Sequence, residues 1–286
     1  MKITDILSKG GLTVSFEVFP PKTDTVFESV KDATEKIAAL CPSFVSVTYG
    51  AGGGTSRYTL DIAKNIKEKY GVPTVAHLTC VSSSRSTVRE RIEAISAAGI
   101  QNVMALRGDI PNGGALGDYV HADELVTELK TYGSDLCIGA ACYPEHHPES
   151  PDSISDIENL KRKVDRGVDF LTTQMFFDNS LFYSFMYRIR EKGISVPVLP
   201  GIMPITNEKQ VVRARELSGS FMPQRFLSLV DKFGKRPDAM MQAGIAYATD
   251  QIIDLFANGI SHIHVYTMNK PEVAKKILEN LSSIIS

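Results

Sequence analysis

The sequence predicts a single α/β domain over residues 1–286, a (β/α)8 TIM barrel. Three observations predict it. Eight short strand-like runs recur along the chain, at 13–19, 44–48, 74–78, 102–106, 137–141, 170–173, 198–200 and 262–266. A helical pattern follows each run, and strands that alternate with helices make a parallel sheet covered by helices. The 286 residues, 43% of them hydrophobic, suit one barrel of about 250 residues. A doubly wound open sheet shares the alternation and is the alternative. No linker, low-complexity stretch or further repeat divides the chain.

The first run sets the pattern. Val14, Phe16 and Val18 alternate with Ser15, Glu17 and Phe19, the two-residue period of a strand. Pro20 and Pro21 then stop it. Helical patterns follow at 26–40, 59–70, 86–98, 122–132, 154–165 and 181–192. Ser153 with Asp156 reads as a capping box ahead of the fifth of these, and Gly167 as its stop. Before the last strand lies a helical insertion, 207–258, read as three helices of which Pro223 and Pro237 open two. Pro271 falls in the first turn of the last helix, where its missing N–H costs nothing.

Charge and composition exclude several classes. Net charge is −2 and the pI is near 6.3. No long run of Lys or Arg supplies a nucleic-acid footprint. No apolar stretch approaches the roughly 18 residues that span a bilayer. The N-terminal MKITDILSKGG lacks the apolar core of a signal peptide. Cys41, Cys80, Cys137 and Cys142 form no C-x-x-C pair, as expected of free thiols in a reducing cytoplasm. Cys142 with His146 and His147 is the one conceivable metal grouping. Pro144 and Pro148 exclude a helix there and no second cluster exists, so no metal is expected.

A barrel carries its catalytic groups at the C-terminal ends of its strands. Seven of the eight runs end in such groups. They are Glu17, Thr48 with Tyr49, His77, Arg107-Gly108-Asp109, Tyr143, Gln174 and Tyr266. Together they predict a ring of functional groups around one mouth.

Each group also has a plainer reading. Glu17 is either a carboxylate paired near the rim or a general acid or base in an enclosed apolar site. Arg107 and Asp109 make a surface ion pair, or Arg107 clamps an anion while Gly108 lets a ligand approach the backbone. The stretch 48–56, TYGAGGGTS, is a flexible loop or one that closes over a flat ligand; it lacks the lysine and spacing of a Walker loop. Asp156, Asn159 and Lys163 share one helix face, flanked by Arg162. That face is solvated, or it holds sugar hydroxyls and a pyrophosphate. Gln174 both donates and accepts, which suits a heterocycle with an amide-like edge. Phe176 and Phe177 beside it are core or stacking surface.

Taken in order, SFEVFPPK, VSVTYGAGG, AHLTC, ALRGD, ACYPEHHPE, LKRKVDRGVDFLTTQMFFD, LPGIMPIT and HVYTMNK resemble one family, the methylenetetrahydrofolate reductases in their short bacterial form. The ordered set spans nearly the whole chain. The resemblance implies a flavin-bearing (β/α)8 catalytic barrel without the regulatory domain of the eukaryotic members. It implies FAD as cofactor, NADH or NADPH as co-substrate and methylenetetrahydrofolate as substrate. It also implies a homo-oligomer, and neither nucleic acid nor membrane as partner.

The implied reaction is ping-pong. Hydride passes from a reduced nicotinamide to flavin N5, and from there to methylenetetrahydrofolate, in the service of one-carbon metabolism and methionine supply. Glu17 matches the general acid. Asp109 matches the carboxylate near flavin and folate, where it would stabilise a cationic iminium. Gln174 matches the residue at the pterin edge, and Tyr266 and Lys270 fall on the substrate side. Thr48, Tyr49, His77, Arg107, Gly108, Asp109, Ala141, Tyr143, His147, Asp156, Asn159, Arg162 and Lys163 fall at flavin-contacting positions. The chain departs from the pattern at Lys270, where familiar bacterial members have Arg, and at Ala214, where some have Phe. Both bear on the electron donor. In the loop 111–123, either Tyr119 or His121 stands as the flavin contact. A flavin-free barrel lyase or aldolase and a flavin electron-transfer subunit of a larger folate-reducing complex are the rival readings.

Overall fold

In the computed structural model the eight expected strand runs close into one barrel. The structure describes residues 1–21, 23–49, 56–110, 116–132 and 135–285. The strands are β1 (Thr13–Val18), β2 (Val45–Val47), β3 (Thr74–Thr79), β4 (Asn102–Leu106), β5 (Cys137–Cys142), β6 (Phe170–Thr173), β7 (Val198–Leu199), β8 (Gly201–Ile202) and β9 (His262–Tyr266). All pair in parallel, in the order β7-β6-β5-β4-β3-β2-β1-β9-β8. The predicted seventh run is divided into β7 and β8 at Pro200. Proline brings no N–H to the ladder, yet its carbonyl still accepts from His264 N at 3.0 Å. The two ends of the sheet are therefore consecutive in the chain, and the barrel closes through Pro200.

The helices are α1 (Ile3–Leu7), α2 (Phe27–Ala38), α3 (Ser56–Tyr70), α4 (Arg85–Ala97), α5 (Ala122–Tyr132), α6 (Ser153–Asp165), α7 (Asn179–Glu191), α8 (Glu208–Ser218), α9 (Gln224–Phe233), α10 (Pro237–Ala257) and α11 (Pro271–Leu281). The insertion is the expected three helices, α8 to α10. Pro237 and Pro271 sit in first turns, and Pro223 is the N-cap of α9. One cap differs from expectation. Asp152, not Ser153, caps α6, accepting from Ile154 N at 2.9 Å and Ser155 N at 2.8 Å. Asp156 instead accepts from Ser150 Oγ at 2.9 Å. A carboxylate one residue earlier reaches two of the orphan amides at once and wins the cap.

The short α1 has no counterpart in the sequence reading, because five residues show no helical period. It plugs the N-terminal end of the barrel. Ile3 and Leu7 pack on Phe44, Val75, Met104, Cys137, Phe170 and Leu199, and His262 Nε2 donates to Leu7 O at 3.0 Å.

The alternation in β1 decides the barrel's chemistry. Val14, Phe16 and Val18 join the core shared with the helices, and burying each contributes roughly 1.5–3 kcal/mol. Thr13, Ser15 and Glu17 face the interior, in register with His262, His264 and Tyr266 of β9. A slip of one residue would drive Glu17 into the helix core, so the apolar face fixes where the carboxylate points.

Candidate active site

Glu17 is the second-last residue of β1 and opens towards the C-terminal mouth. Its Oε2 lies 3.6 Å from His77 Nε2 and 3.5 Å from His264 Nε2. The hydrogen bonds around His264 assign its proton. Ser15 Oγ donates its only hydrogen to Ile263 O at 3.1 Å. With that hydrogen on the carbonyl, it accepts from His264 Nδ1, 2.8 Å away. In that tautomer His264 bears a lone pair on Nε2, a buried atom with no hydrogen-bond partner among the described residues. Facing Glu17, that lone pair wants a proton. Phe44 stacks on the imidazole at 5.8 Å between centroids, and the Tyr266 ring meets it edge-on at 5.6 Å.

His77 belongs to β3, two residues before its end. Its Nε2 lies 2.6 Å from Ser46 Oγ. Burial pushes its pKa below 6.5, against the pull of Glu17 and helped by His264. The site thus holds one carboxyl between two imidazoles, of which His77 is kept neutral by desolvation.

The next strand ends continue the ring. Arg107 donates to both carboxylate oxygens of Glu149, at 2.6 and 2.7 Å, so the expected partner Asp109 is not the one it binds. Asp109 is exposed, and near enough to act electrostatically on Arg107 and Tyr143. Gly108 has φ +88°, and a Cβ there would meet Val81 Cγ1 at 2.8 Å. The protein's own packing thus demands that glycine, not ligand approach alone. Burial pushes the Tyr143 hydroxyl up to about 12, and the ring meets His147 edge-on at 4.7 Å. His147 Nδ1 accepts from Glu149 N at 3.1 Å, which leaves the ring proton on Nε2. Gln174 Oε1 accepts from Met175 N at 3.0 Å, leaving its amide hydrogens as the free donors. The Tyr266 hydroxyl is committed, donating to Thr173 O at 2.6 Å, so only its ring is open to a ligand. Lys270 Nζ donates to Thr206 Oγ1 at 2.6 Å, and that hydroxyl donates in turn to Gln210 Oε1 at 3.0 Å.

The polar face of α6 runs beside β5. Lys163 Nζ donates to Ala141 O at 2.6 Å, and desolvation pushes its pKa down. Asn159 and Arg162 are exposed and bonded to each other at 2.6 Å. Thr48 O accepts from Thr59 Oγ1 at 2.9 Å. The Tyr49 hydroxyl is buried without a partner among the described residues, and its ring lies beneath the Arg91 guanidinium, 5.3 Å from the ring centroid. These groups fit a flavin dinucleotide. A desolvated ammonium held by one carbonyl calls for an acceptor, and an exposed Asn/Arg pair offers both signs of hydrogen bond to ribose and phosphate.

Tyr119 is fully buried in the core, whereas His121 is exposed; of the two, only His121 is open to a ligand. Ala214 is buried with Phe177, Met203 and Met222 under the insertion. Residues 50–55 of the glycine-rich stretch lie outside the described residues. Among the described residues no group of three or more His, Cys, Asp or Glu could hold a metal, and no helix is long and apolar enough to cross a membrane.

Ser15, Ser46, Glu149, Thr206, Gln210 and His264 were not picked out in the sequence. Ser15 and His264 carried a signal, since each shares the strand parity of a residue that was picked, Glu17 and Tyr266. Glu149 and Thr206 carried none, because their partners lie 42 and 64 residues away.

The chain is similar to several known proteins. A family model described as methylenetetrahydrofolate reductase matches residues 2–282. The chain is 37% identical over 273 residues to the 5,10-methylenetetrahydrofolate reductase of Pectobacterium carotovorum subsp. carotovorum, covering 96% of this chain and 91% of that one. It is 36% identical over 298 residues to methylenetetrahydrofolate reductase (NADH) 1 of Arabidopsis thaliana, covering 99% of this chain but half of the plant protein. A solved structure of an uncharacterized Clostridium thermocellum protein, which binds two copies of 5-methyl-5,6,7,8-tetrahydrofolic acid, shares the fold with TM-score 0.72 at 13% identity. It covers 99% of this chain and 100% of that one. The chain belongs to the methylenetetrahydrofolate reductase family of oxidoreductases.

Proposed function

We propose that this protein reduces methylenetetrahydrofolate to methyltetrahydrofolate at the barrel mouth, with FAD as cofactor and NADH or NADPH as electron donor in a ping-pong cycle. The observation that carries the reading is the Glu17 carboxyl held between two imidazoles at the end of β1. FAD, when bound, would supply a two-electron relay between nicotinamide and folate. Lys163, Asn159, Arg162 and Asp156 on α6, with Thr48, Tyr49, His77, Arg107, Gly108, Ala141, Tyr143 and His147 on the strand ends, would hold it.

The chain's own work is proton transfer and charge. The methylene carbon of the substrate is bound to two nitrogens and accepts hydride poorly. Glu17 gives a proton to one nitrogen as its bond to carbon breaks, and the carbon becomes an iminium cation. Asp109 stabilises that cation as a carboxylate in a site of reduced dielectric. The amide hydrogens of Gln174 meet acceptors on the pterin edge. His264, its lone pair aimed at Glu17, is the adjoining proton site. On this reading the protein is a cytoplasmic homo-oligomer that serves methionine synthesis.

The test is anaerobic stopped-flow on the purified, flavin-loaded protein. NADH or NADPH should bleach the flavin, and methylenetetrahydrofolate should restore it. Glu17→Gln should bleach normally and recover about 10²- to 10⁴-fold more slowly. A wild-type flavin that bleaches but never recovers with the folate would exclude the folate reaction. Protein that takes up no flavin would favour a flavin-free lyase or aldolase.

A further inference from the structure

The turn after β9 contains two consecutive left-handed residues, neither of them glycine. Met268 and Asn269 both have φ +53°, and Lys270 N donates back to Thr267 O at 3.1 Å. Residues 267–270 therefore form a type I′ turn, in which both central residues need positive φ. Asn tolerates that conformation and Met does so rarely. Strain of this kind persists only where the surroundings impose it.

The end of β1 imposes it here. The β1–β9 register stops at the pair Glu17 and Tyr266. Beyond that pair, side chains of the turn take over the ladder. Thr267 Oγ1 donates to Glu17 O at 2.7 Å. Asn269 Oδ1 accepts from Phe19 N at 3.0 Å, while its Nδ2 donates to Phe19 O at 2.8 Å. One amide thus copies both halves of a strand pair, which only a side chain with adjacent donor and acceptor does. Pro20 and Pro21 follow and bring no N–H donor to extend the ladder. An Asn-Gly turn would make the same connection without strain at the first position, but the grip on Phe19 needs the amide at 269.

We propose that Asn269 is a positioning residue for Glu17. The strained turn fixes the last residues of β1, and this keeps the carboxyl between His77 and His264 while ligands exchange at the mouth. The proposal rests on the reading of Glu17 as the proton donor. It predicts that loosening the grip harms the step that uses Glu17 and spares the step that does not.

The test compares Asn269→Ala, Asn269→Asp, Met268→Gly and Glu17→Gln in the full, flavin-loaded protein. Flavin content and melting temperature are measured alongside the two half-reactions. N269A should slow flavin recovery by methylenetetrahydrofolate about 10- to 100-fold, the scale of a small misplacement of a reacting group. Bleaching by NADH or NADPH should stay within about twofold of wild type. N269D keeps the acceptor for Phe19 N and loses the donor, so it should fall between N269A and wild type; if N269A fails to fold, N269D decides alone. M268G relieves strain and keeps the grip, so it should melt higher and recover at the wild-type rate. Recovery at the wild-type rate in N269A, or in N269D alone, with E17Q defective, overturns the positioning role and leaves the Glu17 reading intact. Normal recovery in E17Q overturns that reading itself. Equal slowing of both half-reactions in N269A makes the residue merely structural and also overturns the proposal.

Discussion

Glu17 Oε2 lies 3.5 Å from His264 Nε2, and the other nitrogen of that ring donates to Ser15 Oγ. With the Ser15 hydrogen on Ile263 O, the backbone of β9 selects the tautomer of His264. A serine hydroxyl and one carbonyl thus determine which face of the imidazole meets the carboxyl. On the proposed acid role of Glu17, His264 is the adjoining proton site.

Ser15→Ala should uncouple that chain. The freed His264 can place its hydrogen on Nε2, towards Glu17, and compete with the proton the carboxyl should hold. Folate-dependent flavin recovery is expected to fall about 10²-fold or more, as when a catalytic histidine adopts the wrong tautomer. Melting temperature should fall modestly with the loss of two buried hydrogen bonds, while flavin content should hardly change. Recovery at the wild-type rate would remove Ser15 from the proton chain.

Stability should depend on pH through His77. Burial holds its folded pKa below the 6.5 of the unfolded chain. Below 6.5 the unfolded state therefore binds the proton more readily. This contribution is fully present above pH 6.5 and is lost as pH falls towards the folded pKa. Denaturant titrations at pH 7.5 and 5.5 should show a smaller loss of stability on acidification in His77→Gln than in wild type.

Lys163→Met separates binding from folding. The ammonium sits desolvated against Ala141 O, which lowers its worth to the free protein. The variant without flavin should melt no lower than wild type. Its flavin affinity should fall roughly 10- to 100-fold, the value of a hydrogen bond from a charged group. Fluorescence titration with FAD checks the second figure and calorimetry the first.

Gly139→Ala probes the barrel interior. A Cβ at this position in β5 would come within 2.4 Å of the Phe170 ring, and Phe170 is fully buried. The ring cannot leave without emptying the core over α1, so the variant should lose about 1–3 kcal/mol. Urea unfolding at unchanged m-value would measure it.

Much of this architecture was readable from local pattern. Period-two runs and the helices between them need only neighbouring residues, so the strand runs, the three-helix insertion and the placement of Glu17, Asp109 and Gln174 at strand ends were all written in the order of residues. Pro237 and Pro271 marked their helices because proline constrains its own φ. What resisted was contact across the barrel. Nothing near residue 107 announces that Arg107 binds Glu149 instead of Asp109. Nothing near 264 tells which nitrogen of His264 carries the hydrogen; that follows from Ser15, 249 residues away. Tyr119 and His121 are two residues apart and look alike as ligand contacts, yet packing buries one and exposes the other. Local periodicity settles which face of an element is apolar, while closure of the barrel settles which polar groups from distant strands meet on the face that remains.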